Sequence, residues 1–444
     1  MKTLFSGRKA FEHLKKLTVE FGQRSAGSNE ERESAAYIES QFERYGLKTS
    51  LQVFQVTSYQ PELSKLEVLE PKLGEIPAEL VGLCGPTPPS GVLGELAFIE
   101  TGDEEHLTPD LRGKILLVVG PVRYGKYGNL MKTRPKGIVV IEPKIGKPPS
   151  RVDIYPEWRE KFGAAPMVRI SLEDGLNLVK KGARVVRMRV QFSEKKTRSA
   201  NVKGELKGKT MPGEIIVVGA HYDSSPGVQG ACDNASGTAM VLELARVFSI
   251  HGSARTIRFI AWGAEELGLR GSVHYSQELK RHDSSGKGRK HRGATDTAKE
   301  LLSHRLCVNL DVHGGILGSN EAMILGPADL ASSIRLLSKE RGPAIKVVNE
   351  VHSSDSTALS RVGIPSVSLT RKGATAEYLH TPLDEIGYLD AKPLEMYGSF
   401  IEAWMKRYVA DALSFPFERR IPEAHKRKID DYFKKRRGTD LRDE

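Results

Sequence analysis

The chain is predicted to be an α/β protein: a mostly parallel mixed sheet flanked by helices, interrupted by a β-rich insertion. Three observations carry this. From about residue 199, short and nearly continuous apolar runs alternate with amphipathic stretches. Strands apolar on both sides need cover on both faces, which crossover helices supply. Between 61 and 196 the texture changes to short strands among Pro- and Gly-rich turns, such as Gly85-Pro-Thr-Pro-Pro-Ser-Gly91. Finally, 444 residues exceed what a single core usually organises.

Taken in order, residues 8–46 read as helical. Phe11, Leu14, Leu17 and Phe21 recur at helical spacing, as do Ala35, Ala36, Ile38, Phe42 and Tyr45 before Gly46. From 47 to 57 the pattern alternates like a strand. Within the insertion, Ile115–Val119, Gly137–Ile141 and Val185–Val190 are strand candidates. Beyond it, strands are expected at Glu214–Gly219, Thr256–Trp262, Leu306–Leu310, Ala322–Leu325 and Ser366–Thr370, and helices at Ser236–Phe248 and Leu394–Leu413. The expected division is 1–60 and 197–415 for the main domain, 61–196 for the insertion, and 416–444 for a basic tail. An inserted unit leaves and rejoins its parent at neighbouring points, so its two ends should lie together.

The net charge of +11 raises the question of a nucleic-acid partner. Its distribution argues against one. Lys280–Arg292 carries +5 and Arg419–Arg437 carries +6, so the remainder is balanced. Neither segment interleaves aromatics with its charges as a single-strand-binding groove does. Both read as solvated, with a mobile loop over 281–297. No apolar run approaches the ~18 residues of a membrane span, and Ser6–Lys9 break the apolar start too early for a signal peptide. Cys84, Cys232 and Cys307 are odd in number and dispersed, which fits neither a metal-binding pair nor a disulfide framework. Reduced thiols and a cytoplasmic setting are expected.

Three apolar strands run directly into residues that can bind metal. Ile215–Ala220 leads to His221-Tyr-Asp223, Ile257–Trp262 leads through Gly263-Ala264 to Glu265-Glu266, and Leu306–Leu310 leads to Asp311. Ligand crevices in open α/β sheets lie outside the carboxyl ends of strands, so these side chains can converge. Asp233, in Gly230-Ala-Cys-Asp-Asn-Ala-Ser-Gly237, and His380, in Leu379-His-Thr-Pro-Leu-Asp384, complete the set. Each piece alone has an ordinary structural explanation: Asp-Asn before a helix is a common cap, and paired glutamates are a common solvated face. Their coincidence is what points to chemistry. Two imidazoles and three carboxylates suit Zn²⁺, Mn²⁺ or Co²⁺ in a hydrolytic site, with one carboxylate able to bridge two cations and another free to act as base.

The blocks GAHYDSSPGVQGACDNASGTA, RFIAWGAEELGLRGS, VNLDVHG and EYLHTPLDEI resemble the co-catalytic di-zinc exopeptidases, which include aminopeptidases and glutamate carboxypeptidases. The N-terminal helices and residues from about 199 to 410 share the likeness. The segments DLRGKILLVVG, KGIVVIEP and RISLEDGLNLVKKG resemble the protease-associated domain, a small β-rich module. The resemblance implies two zinc ions per subunit: His221 and Asp311 on one, Glu266 and His380 on the other, Asp233 on both. It implies Glu265 as general base and Asp223 as the carboxylate behind the ligand histidine. A cis peptide between Asp233 and Asn234 also follows from it.

The activity implied is removal of N-terminal residues from peptides. Carboxypeptidase or dipeptidase action is the nearest alternative; a glutaminyl cyclase or a silent scaffold is disfavoured because all five ligands and the base are present. Tyr378 and Arg371 are positional candidates for stabilising the oxyanion. Asp384 is read as a turn or supporting residue, and His274, His313 and His352 as serving local structure.

Overall fold

The computed structural model describes residues 3–284 and 300–437. Most of the basic run Lys280–Arg292, and the loop expected over 281–297 from residue 285 on, lie outside them.

The chain enters through helices Gly7–Lys15 and Asn29–Arg44, the second capped by Ser28, whose Oγ accepts the Glu31 N–H at 3.0 Å. The central strands of the main sheet lie in the order Ser366–Lys372, His304–Leu310, Met211–His221, Arg255–Trp262, all parallel. Ser319–Leu325 pairs antiparallel with Ser366–Lys372, making the sheet mixed. Side chains alternate between the faces of a strand, and here both faces are apolar. Ile216, Val218, Ala220, Phe259, Val308 and Leu310 point into one core with helices Ser236–His251 and Ala391–Trp404. Val217, Ile260, Trp262 and Cys307 point the other way, onto Tyr275, Leu279 and Leu359.

Two long antiparallel strands, Lys48–Glu70 and Val185–Leu206, carry the chain out of this body and back. Their register pairs Thr57 with Lys196 and Pro61 with Phe192, so residues 61 and 196 lie in one ladder. Beyond them a second core forms around Ile115, Leu117, Val139, Val168 and Trp158. It is less purely β than expected. Strands Ile115–Val119, Gly137–Ile141 and Met167–Ile170 are parallel, and helices Tyr124–Lys132, Pro156–Phe162 and Leu172–Lys180 lie among them.

The expected solvated tail needs correction. Glu423–Arg437 is a helix, and its Ile429 and Phe433 are buried against Leu269, Val273 and Ala358. The charges of this segment hid an apolar stripe of i, i+4 spacing. Among the described residues, no helix is long and apolar enough to cross a membrane.

Candidate metal centre

The parallel strands end side by side, and their carboxyl ends bring His221, Glu265, Glu266 and Asp311 to one cavity of about 240 Å³. Asp233 and His380 line the same cavity. The decisive geometry surrounds Asp233. Its Oδ1 lies 3.1 Å from His221 Nε2, which is 3.6 Å from Asp311 Oδ1. Its Oδ2 lies 3.1 Å from His380 Nε2, which is 3.3 Å from Glu266 Oε2. One carboxylate thus belongs to two donor groups, His221–Asp233–Asp311 and Asp233–Glu266–His380.

Local backbone geometry holds the donors. Ala264, Val312 and His380 adopt positive φ, near 52°, 61° and 60°. The first precedes the Glu-Glu pair, the second follows Asp311, and the third bears a donor itself. β-Branched Val312 in this region is a strained choice, and such strain concentrates at functional sites. The Asp233–Asn234 peptide is cis. Asp223 accepts the backbone N–H groups of Glu265 and Glu266 at 3.0 and 3.1 Å, and its Oδ1 lies 3.5 Å from His221 Nδ1. The inserted region adds one restraint: the Arg151 N–H donates to the His380 carbonyl at 2.7 Å.

Burial pushes the Glu265 carboxyl well above the usual range, with Glu266, Asp355 and Asp311 adding repulsion. Burial and the charge of Asp233 raise Glu266 to about 8 against the pull of His380 and His221. Asp233 moves the other way: burial opposes its ionisation, but hydrogen bonds and charge from His221 and His380 outweigh it. So many buried carboxylates in one place call for positive charge. Glu266 Oε1 and Asp311 Oδ1 are buried without a hydrogen-bond partner among the described residues, which a cation would satisfy. The imidazole and carboxylate donors, without thiolate, fit zinc.

The sequence model of Peptidase family M28 matches residues 201–405. Aminopeptidase YwaD of Bacillus subtilis (strain 168) is 30% identical over 390 residues, covering 86% of this chain and 74% of that protein. The chain belongs to Peptidase family M28. Carboxypeptidase Q of Bos taurus is 26% identical over 298 residues, and the match spans 62% of its length, under two thirds. Among solved structures, a zinc aminopeptidase from Bacillus subtilis superposes with a TM-score of 0.72 at 26% identity, covering 91% of this chain and 95% of its own.

Other M28 residues differ from the sequence expectation. Neither Arg371 nor Tyr378 lines the cavity. The Arg371 guanidinium donates to the carbonyls of Gly315 and Ile316 and to Asn320 Oδ1, and the Tyr378 ring packs near Tyr388. His352 does line the cavity, whereas His313 is buried against Tyr397 and His274 lies 3.3 Å from Glu278. Sequence reading passed over Arg24. Its buried guanidinium donates to the carbonyls of Leu17, Gly22, Tyr222, Gln229 and Gly230, tying the loop between His221 and Asp233 to the N-terminal segment. Leu17 and Gly22 are near it in sequence, but Tyr222, Gln229 and Gly230 lie about 200 residues away, and no local signal marks them.

Proposed function

We propose that this M28 member is a two-zinc aminopeptidase that removes the N-terminal residue of peptides. The observation that carries it is Asp233, one carboxylate shared by two His–carboxylate pairs. In this reading His221 and Asp311 complete one zinc site and Glu266 and His380 the other, with Mn²⁺ or Co²⁺ as substitutes. When bound, the two ions supply polarisation of the scissile carbonyl and a lowered pKa for water.

The chain's own residues do the rest. Glu265 takes the proton from the attacking water and hands it to the leaving amine. Asp223 fixes the Glu265–Glu266 backbone through two amides and steadies the His221 ring from behind. The names of the Bacillus relatives support aminopeptidase over carboxypeptidase action, since the carboxypeptidase Q match is more distant and shorter.

The finer proposals follow the same reading. Residues 61–196 are a protease-associated-like insertion, because a second core sits beyond the paired strands. The three free, buried cysteines favour the cytoplasm. The test is a screen of chromogenic aminoacyl amides beside N-blocked, C-terminally free dipeptides, with metal-stripped protein and zinc readdition. Zinc-dependent cleavage of the free-amine substrates alone is expected. Cleavage of only the N-blocked set would reject the aminopeptidase reading.

A further inference from the structure

The C-terminal helix Glu423–Arg437 delivers a cation to the catalytic cavity. Arg436 lines it together with His221, Glu265 and Asp311. The helix is anchored on both bodies of the protein. Ile429 and Phe433 are buried in the main body, Tyr432 donates its hydroxyl to Ser353 Oγ at 2.8 Å, and Trp158 Nε1 of the inserted region donates to the Arg436 carbonyl at 2.9 Å. The Arg436 guanidinium lies 5.7 Å from the Tyr432 ring centre, and Tyr155 hydrogen-bonds it. Among the described residues no carboxylate comes within ion-pair distance of it. An arginine held this firmly, half-buried and in no ion pair among the described residues, with the charge of Glu265 acting on it from beyond ion-pair distance, is set for an anion from outside.

Its position gives the direction. His352, Ser353 and Arg436 line both the catalytic cavity and an outer one of about 550 Å³. The outer cavity carries Arg123, Lys428, Lys435 and Arg436 against Glu350 and Asp431, so positive charge dominates the way out. An exopeptidase that holds a free N-terminus at the metals leaves the rest of its peptide on this side. In a short peptide, the group that arrives there is the terminal carboxylate.

We propose that Arg436 is a specificity-determining residue that binds the C-terminal carboxylate of di- and tripeptides, making short free-acid peptides the preferred substrates. The inference rests on the aminopeptidase reading above. Its test compares Leu-Gly and Leu-Gly-Gly with their C-terminal amides, and with Leu-Glu-amide, on the zinc-loaded full chain and on its Arg436→Gln and Arg436→Lys variants.

The wild type should favour the free acids about 10- to 100-fold in kcat/KM, the equivalent of a hydrogen bond to a charged group. The preference should reside mainly in KM. Arg436→Gln should collapse the acid-to-amide ratio towards one, and Arg436→Lys should keep part of it, which a merely structural role would not produce. Equal hydrolysis of acids and amides by the wild type, or an unchanged ratio in Arg436→Gln, overturns the proposal alone. A gain for Leu-Glu-amide instead of the free acids assigns the anion to a side chain and overturns it too. Failure to cleave any of these peptides, amides included, removes the aminopeptidase reading and this inference with it.

Discussion

The two oxygens of Asp384 accept the backbone N–H groups of Cys232 and Asp233, at 2.8 and 3.0 Å. A residue four positions after His380 therefore fixes the backbone of the carboxylate that both donor groups share. The arrangement needs two acceptors, which an ionised carboxylate offers and an amide does not. Asp384→Asn would turn an NH₂ group towards one of these N–H groups. Supporting groups of this kind are typically worth about 10–100-fold in metal affinity. That loss is the expected result, read by competition with a chromogenic chelator. Unchanged affinity would remove Asp384 from the support of the site.

A second prediction concerns acid stability. His13 is buried between two tyrosines, with Nδ1 2.6 Å from Tyr37 Oη and Nε2 3.1 Å from Tyr45 Oη. Burial, reinforced by Arg246, Arg44 and Lys9, lowers its pKa from 6.5 to about 4. The unfolded chain then binds more protons than the folded one between these values. This contribution is complete above pH 6.5 and lost as the pH falls towards 4. His13→Gln should flatten the slope of unfolding free energy against pH by up to ~1.4 kcal/mol per unit in that window. Urea melts from pH 4.5 to 7 measure it, and parallel slopes for variant and wild type would contradict the assignment.

The thiols give a third. Cys84, Cys232 and Cys307 are all buried, and burial pushes the Cys84 thiol up to about 12 and the other two upwards as well. Since the thiolate is the reactive form, an aromatic disulfide reagent should modify none of them in the folded protein and all three after denaturation. Fast labelling of one thiol at neutral pH would mean that its surroundings open in solution.

What the sequence disclosed depended on how local the signal was. The strand-end donors were legible because a charged residue directly after an apolar run has few structural uses, and the run itself fixes where it emerges. Arg371 misled because proximity along the chain was read without parity. Thr370 and Lys372 line the cavity, so the alternation of a strand turns Arg371 to the other side, where Gly315 and Asn320 hold it. Arg24 was invisible because the partners that tie it to the site, Tyr222, Gln229 and Gly230, come from the far side of the insertion. Arg436 was hidden by composition. Nine basic residues over 419–437 read as a solvated tail, although Ile429 and Phe433 lie four apart on one face.

The remaining prediction separates base from ligand within Glu265-Glu266. The two backbones are held alike, by the two oxygens of one Asp223. Their side chains part company: Glu266 Oε2 lies 3.3 Å from His380 Nε2, within the second donor group, whereas Glu265 belongs to neither group and still lines the cavity. Glu265→Gln keeps size and hydrogen bonding but removes the carboxylate that, as the proposed base, accepts a proton and gives it back. General acid–base contributions are typically ~10²–10⁴-fold, so kcat should fall at least that far while both zinc ions stay bound. In the proposed assignment Glu266→Gln replaces a ligand with a neutral amide, and the zinc shared with His380 should leave first. Metal content by elemental analysis, measured beside turnover, distinguishes the two. Near-normal turnover in Glu265→Gln with both metals retained would assign the base elsewhere. Loss of zinc from Glu265→Gln, with Glu266→Gln keeping it, would shift the ligand by one position along the chain.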